Sequence, residues 1–259
     1  MDLGLSGRKV LVTGASQGIG AGLAQAFAAE GCELFLLARS ADKLDAVAAA
    51  ARRDHGATVH TCALDLTAPG AIAQAMRFGG GVDVLVNNAG SIPGGNLWDI
   101  DEPAWRQGWE LKVFGYINLT RAMYPVMRER GGGVILNNIG NGGQNPDFNY
   151  IAGSTGNAAL MAFTCALGGR SLEHNIRVIG VNPGPVATAR IEKVMRGHAT
   201  KMYGDAERYT ELMAQYPLGR AATVPEVADL FVYLASERSR YTSGTIITVD
   251  GGITSRRSV

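Results

Sequence analysis

Cysteine and histidine are scarce: Cys32, Cys62 and Cys165, and histidines only at 55, 60, 174 and 198. An odd number of cysteines with no metal-ligand spacing excludes a disulfide framework and a thiolate metal centre. They are expected to be buried free thiols of a cytoplasmic protein. The histidines form no cluster, so no metal is implied. Charge of one sign is missing too. Lys+Arg 24 against Asp+Glu 23 leaves +1, which gives no basic field for nucleic acid. No apolar run approaches the length of a membrane span. Met1-Asp2-Leu3-Gly4 leads into neither the basic start nor the apolar core of a signal peptide. Internal repeats, linkers and low-complexity tails are absent. What is plentiful is glycine, 35 residues, and apolar side chains, 46% of 259 residues. That length and composition fit one large α/β domain over residues 1–259. The expected partners are a small molecule and further copies of the chain, with neither nucleic acid nor membrane.

The stretch Val10-Leu11-Val12-Thr13-Gly14-Ala15-Ser16-Gln17-Gly18-Ile19-Gly20 organises the rest. Residues 10–12 suit a buried parallel strand. Beyond Gly20, Leu23, Phe27 and Ala28 recur on one face of a helix starting near Ile19. Glycines between strand and helix let the backbone turn tightly and approach a phosphate. The free N–H groups of the helix's first turn then face the anion. A turn without a ligand is the plain alternative, but its place between first strand and amphipathic helix favours phosphate binding. Further strands are predicted over residues 33–38, 59–64, 82–86, 134–138, 176–181 and 245–249. Helices are predicted over 41–53, capped by Ser40, over 103–127 and 150–168, and from Pro225 onward. The alternation predicts an α/β fold: a Rossmann-type, doubly wound parallel sheet of about seven strands with helices on both faces. Functional residues are expected at the carboxyl ends of the strands.

The spacing Gly14-x-x-x-Gly18-x-Gly20 is not the Gly-x-Gly-x-x-Gly of the common dinucleotide fold. Residues 13–20 resemble the cofactor motif of the short-chain dehydrogenase/reductase family, and later stretches extend the resemblance along nearly the whole chain. It implies that Gly14, Ser16, Gln17, Gly18, Ile19 and Gly20 bind a dinucleotide. Arg39 stands about 20 residues on, where an acid holds the 2′-hydroxyl of NAD and an arginine accommodates the 2′-phosphate of NADP. With Ser40 beside it, NADP is expected and NAD comes second. Leu64-Asp65-Leu66 resembles the family's aspartate beside the adenine, and Asn87-Asn88-Ala89-Gly90 its motif near the adenosine. Asn182-Pro183-Gly184-Pro185-Val186-Ala187-Thr188 resembles its Pro-Gly loop. That implies a hold on the nicotinamide carboxamide through the Val186 backbone and the Thr188 hydroxyl.

The catalytic stretch departs from the family, which uses Asn, Ser, Tyr and Lys with the last two in Tyr-x-x-x-Lys. Asn157-Ala158-Ala159-Leu160-x-x-x-Thr164 resembles the family's Lys-Ala-Ala-Leu-x-x-x-Thr. This alignment sets Asn157 at the lysine and Gly153 at the tyrosine. Flanking residues set Gly140 at the serine and Lys112 at the asparagine. A rival register reads Tyr150-Ile151-Ala152-Gly153-Ser154 as Tyr-x-Ala-Ser-Lys, keeping the tyrosine and setting Ser154 at the lysine. Neither register restores a lysine. Lys112 and Asn157 look like an exchange, with the cation moved to the facing helix. Tyr150 lies about one turn before Gly153 on the same helix face. Glycines at 140, 142, 143 and 153 clear its path to a substrate. A rim residue and a packed surface lysine are the plain readings of Tyr150 and Lys112.

Three functions remain open on these residues. One is an NADP-dependent oxidoreductase of an unidentified carbonyl or alcohol, with a rebuilt acid site. Another is a catalytically silent NADP(H)-binding sensor or assembly subunit. The third, a lyase or isomerase, leaves the cofactor loops without a purpose. Trp98, Trp105, Phe148, Met195, Met202 and Tyr203 suggest an apolar lining, which core packing explains equally well. The resemblance implies that helix 103–127 and the helix from Tyr150 pair across a twofold axis. Residues 246–249 and Gly251-Gly252-Ile253 suggest a second interface. A homotetramer is expected, with a dimer next.

Overall fold

Val10, Leu11 and Val12 have no exposed surface, as a strand covered on both faces requires. They sit in β1 (Lys9–Thr13). The computed structural model describes residues 2–256, so Met1 and residues 257–259 of the expected domain lie outside the described residues. The other strands are β2 (Glu33–Ala38), β3 (Val59–Ala63), β4 (Val84–Asn87), β5 (Gly133–Asn138), β6 (Ile176–Pro183) and β7 (Thr245–Val249). All seven are parallel, in the order β3-β2-β1-β4-β5-β6-β7.

Strand pleating sorts the core into two layers. Val10, Val12, Val84, Val86, Val134 and Leu136 point to one side. There they meet α1 (Gly18–Ala29), α2 (Ala41–His55) and α9 (Val224–Ala235) through Phe27, Leu44 and Phe231. Leu11, Leu85 and Ile135 point to the other side, against α3 (Ala71–Gly79) and α5 (Gly115–Glu129). α4 (Glu102–Trp109) precedes α5, and α6 (Ile151–Ser171) packs on the same face through Leu160 and Met161. The chain crosses from β3 back over β1 to β4, so the strand order reverses at β1. The carboxyl ends of β1 and β4 flank that reversal, the place where such sheets bind ligands.

α9 shows how local chemistry sets an element's bounds. Thr223 and Glu226 cap each other's backbone, and Pro225 sits in the first turn. At the other end, buried Arg177 of β6 donates to the carbonyls of Leu234, Ala235 and Ser236. These are last-turn carbonyls that the helix itself leaves unpaired. Burial lowers the Arg177 pKa from its ordinary value.

Several expectations are corrected. The predicted helix 103–127 is continuous but not uniform: a π-helical turn over Glu110–Phe114 joins α4 to α5. Tyr150 stands just outside α6, as its N-cap. Ser40 takes the N-cap position of α2, but its side chain accepts no capping bond. Of the cysteines only Cys32 is buried; Cys62 is half-buried and Cys165 exposed. Three helices had no sequence expectation: α3, α7 (Ala189–Tyr203) and α8 (Tyr209–Met213). α3 turns Ala71 and Ala75 into the core with Ile72, Met76 and Phe78 packed beside them, while α7 buries only Met195 and Ala199. Among the described residues no helix is long and apolar enough to cross a membrane.

Candidate cofactor and active site

Three strand ends are latched together where the strand order reverses. Thr13 Oγ1 donates to the Val86 carbonyl at 3.3 Å and accepts from the N–H groups of Asn88 and Ala89 at 2.9 and 3.0 Å. The Asn88 amide donates to the carbonyls of Thr13 and Gly14, and accepts from Asn138 Nδ2 at 2.7 Å. The glycine turn follows. A Cβ on Gly20 would fall 2.2 Å from the Gly14 carbonyl oxygen, so α1 can begin this close to the turn only with glycine there. Gln17 is the N-cap of α1 and its side chain makes no capping bond. Its carboxamide oxygen accepts from Lys43 Nζ at 3.2 Å instead. The N–H groups of the first turn thus lack a side-chain partner and face outward.

The loop after β6 closes over this turn. Thr188 Cγ2 would lie 3.5 Å from a Cβ on Gly18. Val186 bridges to Ala222, and the Ala187 N–H donates to the Ala222 carbonyl at 2.7 Å. The Gly184 N–H donates to the Val249 carbonyl at 2.9 Å. Thr188 Oγ1 donates to the carbonyl of Val186 at 3.3 Å. Arg39 and Ser40 end β2 on the surface, and the Arg39 guanidinium has no ion-pair partner among the described residues. The Asp65 carboxylate accepts from the N–H and hydroxyl of Thr67 at 2.9 and 2.8 Å. These bonds, with Arg39's charge in support, hold its pKa below the usual carboxylate value. Leu66 beside it is buried.

The catalytic candidates converge on the carboxyl end of β5. A Cβ on Gly142 would lie 3.4 Å from Asn157 Nδ2, 3.6 Å from Tyr150 Cδ1 and 3.7 Å from Ser154 Oγ. Tyr150 is held by its backbone, bridged to Gly95. Its ring lies over Gly153, where a Cβ would fall 1.9 Å from the ring's Cζ. Buried Ser154 accepts from the Asp147 N–H at 3.1 Å. Asn157 is 2% exposed, and its Oδ1 has no hydrogen-bond partner. Lys112 comes from the π-helical turn. Its stem lies beside Gly90, 2.9 Å from where a Cβ would stand, and Nζ donates to the Ile139 carbonyl at 2.5 Å. Burial, with the charge of Arg190 second, brings its pKa down to about 7.

The structure therefore brings Tyr150, Ser154, Asn157 and Lys112 around residues 139–142. It also adds groups that the sequence did not single out. Arg190, two residues past Thr188, donates to the Ile92 carbonyl at 3.1 Å. Tyr116 donates to the Asn138 carbonyl at 2.9 Å, and burial raises its pKa. Gln144 Oε1 accepts from Asn182 and Thr248, tying the loop after β5 to β6 and β7. Of the expected apolar lining, Trp98 and Phe148 form an exposed pair with centroids 6.0 Å apart. Trp105 packs against Trp109 at 6.5 Å, and Met195 is buried in α7. Met202 is 66% exposed, and the Tyr203 ring stacks with Arg208.

The family model described as enoyl-(acyl carrier protein) reductase matches residues 14–254. The oxidoreductase UcpA of Salmonella typhimurium is 34% identical over 98% of this chain and 97% of its own. Among solved structures, L-sorbose reductase from Gluconobacter frateurii, complexed with NADPH and L-sorbose, superposes with a TM-score of 0.91. It is 34% identical and covers 99% of this chain and 100% of its own. A 7α-hydroxysteroid dehydrogenase complexed with NADH and 7-oxo glycochenodeoxycholic acid gives a TM-score of 0.86 at 28% identity, covering 97% of this chain and 96% of its own.

Proposed function

Because the chain belongs to the short-chain dehydrogenase/reductase family of oxidoreductases, we propose that it is an NADP-dependent oxidoreductase of a carbonyl or alcohol substrate, folded as one domain, whose proton donor is Tyr150. The family tetrad is replaced: Gly140, Gly153, Asn157 and Lys112 take the serine, tyrosine, lysine and asparagine positions. The observation that carries this reading is the Tyr150 ring on Gly153. A phenol arriving from one turn earlier fills the space in which a tyrosine at 153 would begin.

The residues fit a dinucleotide. The glycine turn is a cradle that a Cβ would fill, α1 offers uncapped N–H groups, and Asn157 Oδ1 is a buried acceptor awaiting a hydroxyl. Gly14, Ser16, Gln17, Gly18, Ile19 and Gly20 would hold the pyrophosphate. Arg39 and Ser40 would hold the 2′-phosphate. Asp65, Leu66, Asn88, Ala89 and Gly90 would line the adenosine. Asn157 would meet the nicotinamide ribose, and Pro183, Gly184, Val186 and Thr188 the carboxamide. The bound dinucleotide supplies the hydride.

The chain's own part is position and a proton. Tyr150 gives its phenolic proton to the substrate oxygen. A pKa of about 7 lets Lys112 exchange protons at neutral pH. Ser154 holds the 144–149 loop through Asp147. The test is NADPH oxidation with a carbonyl panel, alongside cofactor binding. Tyr150→Phe and Lys112→Met are each expected to abolish turnover while NADPH still binds. Rapid turnover in both variants would overturn the assignment. A silent NADP(H)-binding protein is the second reading, favoured by the Ser154 hydroxyl being engaged by Asp147 and by the amide at 157. It expects tight binding and no turnover across the panel.

A further inference from the structure

Two cations border the ends of β4 and β5 with no acid between them. Lys112 lies along Gly90 and ends at the Ile139 carbonyl. Two residues past Gly90, the Ile92 carbonyl accepts from Arg190 Nη2 at 3.1 Å. Ile92 also packs in one cluster with Tyr150, Trp109 and Ala152, so one residue links exposed Arg190 to the proposed proton donor. Neither cation makes an ion pair among the described residues.

Of the acids on the surrounding segments, Glu110 of the π-helical turn is exposed, two residues before Lys112; the others have partners of their own. Glu192, in the first turn of α7, pairs with Arg196 at 2.9 Å. Asp99, Asp101 and Asp147 accept from the backbone N–H groups of Asn96, Ala104 and Asn149. Asp250 accepts from Asn141, Gly252 and Thr254. Arg190 also stands in the first turn of α7, at the positive end of the helix dipole, where a cation is disfavoured. The Lys112 charge adds to the repulsion. An arginine with spare donors and no ion pair suits a planar anion, which it can grip with two parallel bonds.

Resting on the reading of Tyr150 as proton donor to a carbonyl, we propose that the substrate is a carbonyl acid, a ketone or aldehyde bearing a carboxylate, and that Arg190 is the residue that selects it. The carboxylate sits against the guanidinium at Ile92, which sets the carbonyl carbon on the Tyr150 side of the cleft. Lys112 contributes through its field.

The test compares 2-oxo and 3-oxo carboxylic acids with their methyl esters, using the whole protein and NADPH. It also measures malonate binding to the NADP-loaded protein by calorimetry, which needs no turnover. The expected kcat/KM preference for acid over ester is about 10–100-fold, as one charged contact supplies. Arg190→Met removes that preference and weakens malonate by a similar factor. Lys193→Met, an exposed cation on the same helix, retains both. Acid and ester turned over alike, or a preference that survives Arg190→Met, overturns the proposal while the oxidoreductase reading stands. No turnover of any carbonyl, with malonate bound through Arg190, leaves the anion site standing and removes the oxidoreductase reading. Malonate that binds the variant equally well overturns the site.

Discussion

The ring of Tyr150 occupies the space in which a side chain on Gly153 would begin, with Cζ 1.9 Å from the ideal Cβ position. The two residues are thus exclusive: any carbon at 153 displaces the phenol. Tyr150 is half-buried at the N-cap of α6, so its ring can swing toward solvent, giving up its packing on the Ile92 and Ala152 cluster.

Gly153→Ala is therefore expected to separate activity from stability. Displacing the proton donor costs about 10²–10⁴ in turnover. The fold loses less than about 1 kcal/mol, because the ring moves and the backbone does not. Thermal melting beside NADPH oxidation checks both. Full activity in this variant would show that the phenol is not the acid.

Arg39 is expected to set cofactor choice. It is exposed, and free of an ion pair among the described residues, at the end of β2. Arg39→Ala should weaken NADP by roughly 10–100-fold, the worth of one or two charged hydrogen bonds, and leave NAD nearly unchanged. Calorimetry showing equal affinities for both cofactors in the unmutated protein would remove the assignment.

Lys112 makes stability depend on pH in a defined window. Its pKa is about 7 in the fold against 10.5 in the unfolded chain. Below the lower value both states carry the proton, and the fold bears the whole cost of a buried ammonium. Above the higher value neither carries it, and the cost disappears. Stability rises with pH between the two, because the unfolded chain binds more protons there. Relative to Lys112→Met, the unmutated protein should gain roughly 2–5 kcal/mol across that window. Urea melts of both proteins at several pH values give the difference; a constant difference would mean that the ammonium is solvated.

Assembly into a homotetramer, with a dimer next, is the expectation for quaternary structure. α6 exposes a stripe of small residues, Ala158, Ala159, Ala162, Cys165, Ala166 and Gly169, and Phe114 is exposed where the π-helical turn meets α5. Every residue of β7, an edge strand, is half-buried, and such an edge is usually covered. Light scattering at micromolar concentration is the measurement. A monomer would refute it, and Ala162→Arg should dissociate the assembly at the α6 face.

The sequence by itself determined the sheet and the cofactor turn. Strands such as β1 and β6 are buried on both faces, so each is a local apolar run. A glycine turn between strand and helix is likewise a feature of neighbours in the chain. The helix over 103–127 was legible as helix for the same reason. Its π-helical turn at Lys112 was not, since no residue there breaks the pattern. α3 escaped because it spans only nine residues, and α7 because it buries only Met195 and Ala199. Only the tertiary structure decided the chemistry of the site. The partners that define it are distant in sequence: Lys112 with Ile139, Arg190 with Ile92, Asn88 with Asn138. The Lys112 pKa follows from burial and from a charge on another element. Even Tyr150 and Gly153, three residues apart, meet through a ring direction set by the bridge to Gly95. Side-chain direction and desolvation arise from packing between elements, which local pattern does not encode.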